Sequence, residues 1–150
     1  MTASLFLTLA LTGTLAAEAP QTPGPPREAE EVDACALVTR AEAASALGGL
    51  RGEPRPDVGI QKETECHYVS ASGARLSLSV YTADRWGMQK GIVSEMNPED
   101  VAGLGDEAFA VERGTDTEVY VRKGKLILEV RGSAGMAASR AMADKAAGRL

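Results

Sequence analysis

The chain has 150 residues, 44% hydrophobic but only 4% aromatic, with 16 basic against 21 acidic side chains and a formal net charge of −5. That length fits one domain with extensions. The acidic balance argues against a nucleic-acid partner, which needs a clustered positive surface.

Residues Leu5 to Leu15 are almost entirely apolar or small, and Ala16, Ala17 and Ala19 follow. This reads as a secretory signal segment over residues 1–17, with Thr14 and Ala16 suited to the small-residue positions before a cut. It is shorter than the roughly 20 apolar residues a membrane-spanning helix needs, so no stable transmembrane span is expected in the mature chain. No Lys or Arg precedes Leu5, and no cysteine lies near the cleavage zone to carry a lipid. An uncleaved tether is the competing reading.

Residues 18–33 are rich in Pro and Glu, with five carboxylates (Glu18, Glu28, Glu30, Glu31, Asp33) against Arg27. Such a stretch buries too little apolar surface to offset its ordering entropy, so a disordered linker is expected. It also carries most of the net charge, leaving a nearly neutral domain over residues 34–150.

Cys35 and Cys66 are the only cysteines. An even count behind an export-like segment points to a disulfide. Closing a loop of this length is worth roughly 3 to 4 kcal/mol on the chain-entropy model. A metal site or reactive thiol competes poorly, since the chain has one histidine, His67, and no C-x-x-C spacing.

Thr39 and Glu42 have the spacing of a capping box, which predicts a helix over residues 40–47, stopped by Gly48 and Gly49. Arg51 to Gln61, with two prolines and Gly59, is expected to be a surface loop whose Arg51 and Arg55 are solvated. Thr64 to Ser70 reads as a strand with Cys66 and Tyr68 on one face, turning at Ser72-Gly73. Arg75 to Thr82 alternates, with Leu76, Leu78, Val80 and Thr82 on one side and Arg75, Ser77, Ser79 and Tyr81 on the other.

Asp84 to Met96 reads as a helix with Asp84 as N-cap and an apolar stripe of Trp86, Ile92, Val93 and Met96. Gly87 and Gly91 weaken it, or permit close packing. A strand is expected near residues 107–112. Glu118 to Arg122 and Lys125 to Arg131 then form a hairpin across Lys123-Gly124, with Val119, Val121, Leu126, Leu128 and Val130 toward the core. Ser133 is expected to cap a last helix over residues 135–149, whose thin face of Met136, Ala143, Ala146 or Ala147 and Leu150 lies close to the sheet. The fold class that follows is α+β: an antiparallel sheet of four to five strands, helices packed on one face, and one disulfide.

Asp33-Ala-Cys35-Ala-Leu37-Val38-Thr39, a helix ending in Leu47-Gly48, Cys66 followed by an aromatic residue, and Gly103-Leu-Gly105-Asp106-Glu107-Ala108-Phe109 together resemble a group of small bacterial cell-envelope proteins. Many of that group are lipoproteins with a domain of unknown function. They are similar in layout to the extracellular sensor domains of some mycobacterial Ser/Thr kinases. The resemblance implies an α+β domain with a cystine and an antiparallel sheet, and carries no catalytic residues. This chain departs from the group in lacking a lipidation cysteine.

The catalytic signals are weak. No G-x-S-x-G is present, so a Ser-His-Asp site would depend wholly on His67. Lys123-Gly-Lys125 lacks the spacing of a phosphate-binding loop. Asp106 and Glu107 invite a metal reading, but adjacent residues entering a strand point opposite ways. No catalytic residue, metal site or cofactor is therefore expected.

The wet face of the sheet is the better candidate. Arg75, Ser77, Ser79 and Tyr81 are expected to share it with Tyr120, Arg122, Ile127, Glu129 and Arg131, and Tyr and Arg are enriched at recognition surfaces. The expected function is a secreted or periplasmic non-catalytic binding domain at the bacterial cell envelope, with a protein, peptide or envelope component as ligand. The alternatives are a secreted inhibitor of an extracellular hydrolase, and a small hydrolase using His67 or a carboxylate pair.

Overall fold

Seven strands form one antiparallel sheet in the computed structural model, which describes residues 28–58 and 64–150. The expected signal segment over 1–17, linker residues 18–27 and loop residues 59–63 lie outside the described residues. The strands are β1 (Arg55–Val58), β2 (Thr64–Val69), β3 (Arg75–Thr82), β4 (Glu99–Asp100), β5 (Glu107–Arg113), β6 (Asp116–Lys123) and β7 (Leu126–Gly132). Among the described residues three α-helices accompany them: α1 (Arg40–Leu47), α2 (Trp86–Val93) and α3 (Met136–Ala147). The α+β class holds, while the strand count exceeds the expected four to five. The extra strands are β4, too short for a periodic signal, and β1, an edge strand containing Pro56. An edge strand tolerates a missing backbone N–H, so the proline that suggested a loop is compatible with pairing to β2.

The sheet order is β1-β2-β3-β7-β6-β5-β4. After β3 the chain leaves the centre of the sheet, crosses one face through α2, and starts again at the far edge with β4. The meander β4 to β7 then returns until β7 pairs with β3.

Period-2 alternation sorts the side chains onto two faces. The inner face carries Cys66, Tyr68, Leu76, Leu78, Val80, Ala108, Ala110, Val119, Val121, Leu126, Leu128 and Val130, packed with Met142, Ala143, Ala146 and Ala147 of α3 and Ala43 of α1. All five core positions expected of the β6–β7 hairpin are there. Alanines at the α3 contact let the helix axis approach the sheet. Thr117 and the fully buried Ser139 satisfy each other's hydroxyls across that contact at 2.7 Å.

The N-terminal part is as its local chemistry dictates. Thr39 accepts from the Glu42 N–H, Glu42 accepts from the Thr39 N–H, and Gly48 ends α1 in the left-handed region at φ 68°. Arg149 locks this helix to the chain terminus. Its guanidinium donates to both Glu42 carboxylate oxygens, at 2.8 and 2.9 Å, and to the Leu37 carbonyl at 2.7 Å. These bonds, led by the one from Arg149, bring the Glu42 carboxyl down to about 2. Cys35 and Cys66 form the disulfide, with Cα atoms 5.0 Å apart, tying a short 3-10 turn at Ala34–Ala36 to β2. Residues 28–33, expected as the end of the disordered linker, instead make a 3-10 turn at Ala29–Glu31. Ala29 and Val32 are buried in the inner core, enough apolar area to hold the turn down.

Two helix starts differ from expectation. Asp84 accepts from the Thr82 hydroxyl within a 3-10 turn, Ala83–Arg85, and α2 begins only at Trp86 without a side-chain cap. Ser133 accepts from the Arg75 N–H at 3.2 Å, and Gly135 precedes α3. In each case a tertiary or turn partner takes the group that local spacing assigned to capping.

Candidate binding face of the sheet

The outer face is where α2 matters, because the helix covers half of it. Tyr81, Trp86, Val93, Phe109, Val111, Tyr120 and Ile127 form a second core there. The helices therefore do not pack on one face, and the expected wet face is divided. Phe109 lies between Trp86, with ring centroids 5.1 Å apart, and Tyr120, at 4.8 Å. Such offset or tilted pairs add to the area they bury. Ile92, expected in the apolar stripe, points to solvent with Met88. Nothing lies within 4 Å of where a side chain at Gly87 or Gly91 would begin, so these glycines mark no close packing.

Glu107 fastens α2 to the sheet. Its carboxylate accepts from Lys90 at 2.6 Å and from the Trp86 indole at 2.9 Å, with Arg122 3.5 Å away. The Lys90 bond first, then the Trp86 bond, hold its pKa below the usual value. Asp106 accepts from the Gly124 N–H at 2.7 Å and so braces the β6–β7 turn. The adjacent carboxylates are thus two structural anchors facing different partners.

The nine candidate residues separate accordingly. Alternation places all nine on the outer face, but Tyr81, Tyr120 and Ile127 are buried beneath the α2 segment and Ser79 is buried within the sheet. Arg122 is drawn into the Glu107 anchor. Arg75 and Arg131 are exposed, and Ser77 and Glu129 are half-buried. The accessible remainder lies on β2, β3, β7 and the start of β6.

Pairing across these strands builds it in two rows. His67, Ser77, Arg131 and Glu118 form one row through the pairs His67↔Ser77, Ser77↔Arg131 and Arg131↔Glu118. The next runs from Val69 through its partner Arg75 to Ser133 and Asp116 at the strand ends. A cleft of about 390 Å³ lies over these rows.

Beside the cleft, paired with its Arg131, lies a buried charge that must be neutralised. Glu118 is 1% exposed. Its carboxylate has Arg131 at 3.3 Å and Arg113 at 3.4 Å, and accepts from the Tyr120 hydroxyl at 2.9 Å. Burying a carboxylate is costly unless it is paired and hydrogen-bonded; here Oε1 is paired with the two arginines without a hydrogen bond, and Oε2 accepts from Tyr120. Burial, and then the Glu118 charge, push the Tyr120 hydroxyl far above its ordinary pKa. Tyr120 is therefore a neutral donor inside the cluster.

His67 has Glu65 at 3.2 Å and Asp57 at 3.7 Å beside its Nε2. The neighbouring Ser77 hydroxyl donates to the Arg131 carbonyl at 3.5 Å. The imidazole and the serine thus engage different partners. Asp116, Glu118, Arg113 and Ser133 were missed as members of this face. Extending the β6 alternation back two steps from Tyr120 would have found Glu118 and Asp116, whereas Arg113 and Ser133 arrive only through strand order. Among the described residues no group of three or more His, Cys, Asp or Glu side chains is arranged to hold a metal ion, and no helix is long and apolar enough to cross a membrane. Comparison of the chain with protein-family models, curated proteins and solved structures gave no match.

Proposed function

We propose that this chain is a secreted or periplasmic, non-catalytic binding domain acting at the bacterial cell envelope, and that it binds through the half of the outer face that α2 leaves uncovered. The observation that carries the reading is the cleft over His67, Arg75, Ser77 and Arg131. There, one side of a sheet is accessible while its arginine-bearing floor is held rigid by the buried Glu118 cluster. Rigid elements presenting a few polar groups in a concavity are what ligand sites are built from. The compartment is supported by the Cys35–Cys66 bond, since disulfides persist in oxidising environments. The apolar segment from Leu5 to Leu15 and the resemblance to envelope proteins point the same way.

The test is co-sedimentation of the purified protein with isolated bacterial envelopes, comparing the native chain with Arg75→Glu. Arg75 is exposed, so the variant should fold normally. Loss of retention is the expected result. Equal retention at equal stability would remove this face from consideration.

A further inference from the structure

The charge balance of the cleft narrows what it can hold. Arg131 is committed to Glu118 at 3.3 Å and lies 4.0 Å from Asp116. His67 stands against Glu65 and Asp57. The Arg75 guanidinium, in contrast, has no hydrogen-bond or ion-pair partner among the described residues, although its backbone N–H is held by Ser133. Because the Ser133 hydroxyl accepts that bond, its own proton is available to donate outward, beside Arg75. One uncompensated cation with an adjacent hydroxyl donor therefore faces a cleft that Asp116 and the half-buried, apolar Val69 also line.

Resting on the binding reading above, we propose that the cleft takes a carboxylate borne on a small uncharged body, as at the C-terminus of a peptide, with Arg75 as its principal anchor and Ser133 as the second donor. A guanidinium matches a carboxylate with two parallel N–H···O bonds. The single uncompensated charge suits a monoanion. A phosphate dianion would bring its second charge against Asp116, which lines the same cleft. The volume of about 390 Å³ is at the small end for ligand sites, and the Val69 wall offers an apolar surface to the body that carries the carboxylate.

The experiment titrates the protein with N-acetyl-alanyl-alanine, its C-terminal amide, and inorganic phosphate, followed by backbone amide NMR shifts. Arg75→Ala, Arg75→Lys and a control on the far side of α3, Arg140→Ala, are titrated in parallel, with melting temperatures showing that each is folded. The expected result is saturable binding of the acid with shifts at Arg75, Ser77, Arg131 and Ser133. Arg75→Ala should weaken it about tenfold or more, because hydrogen bonds to charged groups are worth ~1.5 kcal/mol or above. Arg75→Lys should fall between, and Arg140→Ala should match the native chain. Equal binding of the amide, tighter binding of phosphate, or no binding of the acid would each overturn the carboxylate assignment. If envelope retention still depends on Arg75 in that event, the binding face survives and only its ligand class is wrong; if retention is also unaffected, both fall.

Discussion

Replacing both Cys35 and Cys66 by alanine tests whether the staple contributes what its place in the chain implies. The bond spans 31 residues and joins the turn at Ala34–Ala36 to a strand whose Cys66 is fully buried against the inner core. Loop-closure entropy for that separation gives about 3.7 kcal/mol at 25 °C. For a domain of this size that corresponds to roughly 15 °C in melting temperature, and it is a large part of the ~5 to 15 kcal/mol typical of a whole domain. Urea and thermal unfolding followed by circular dichroism would measure it. Because the mechanism acts on the unfolded chain, the variant should also show a larger m-value as that ensemble expands. A drop below about 5 °C with an unchanged m-value would show that the unfolded chain is not constrained in the way the entropy model assumes.

Three further outcomes follow from particular contacts. Glu118→Ala takes the acceptor from the buried Tyr120 hydroxyl and the shared partner from the half-exposed Arg113 and Arg131, and should cost about 1 to 3 kcal/mol in denaturant unfolding, whereas Arg140→Ala on the surface should lie within ~0.5 kcal/mol of the native chain. Arg149→Ala should change the acid limb of stability. Glu42 is brought from 4.5 to about 2 in the folded chain, so its contribution is present above 4.5 and lost as pH falls toward 2; the native-minus-variant difference should be flat above about pH 5 and shrink below it, and a difference that grows on acidification would contradict the sign. Gly132→Ala places a methyl group against the Arg75 carbonyl oxygen and 2.8 Å from the Leu76 Cα, at a backbone φ of 155°. The β3 and β7 backbones would have to separate at the end bearing the cleft, so thermal unfolding should show a loss of more than about 3 kcal/mol, with chemical shifts disturbed at Arg75 and Ser133.

Much of the architecture was legible because it is set by local geometry. Side chains alternate across a strand whatever lies beyond it, so the inward positions of Leu76, Leu78, Val80, Val119, Val121, Leu128 and Val130 follow from spacing alone. The same holds for the Thr39–Glu42 capping box with its glycine stop, whose partners are within a turn of one another. The cysteine pair was readable by count, since two thiols allow one intramolecular bond. These readings are short-range, or involve a choice with a single outcome.

Strand order and coverage were not readable in this way. Alternation assigned Tyr81, Tyr120 and Ile127 correctly to the face opposite the inner core, but whether that face is wet depends on where the chain goes after β3. It crosses the outer face through α2, which buries those three with Phe109 and Trp86 and leaves Arg75, Ser77 and Arg131 accessible. The sequence by itself determined the two faces, the staple, and the helix that starts at Arg40. Only the tertiary structure decided which half of the outer face is dry, and that Asp116 and Ser133 join Arg75 around one cleft, because these depend on segments far apart in the chain whose meeting has no local signature.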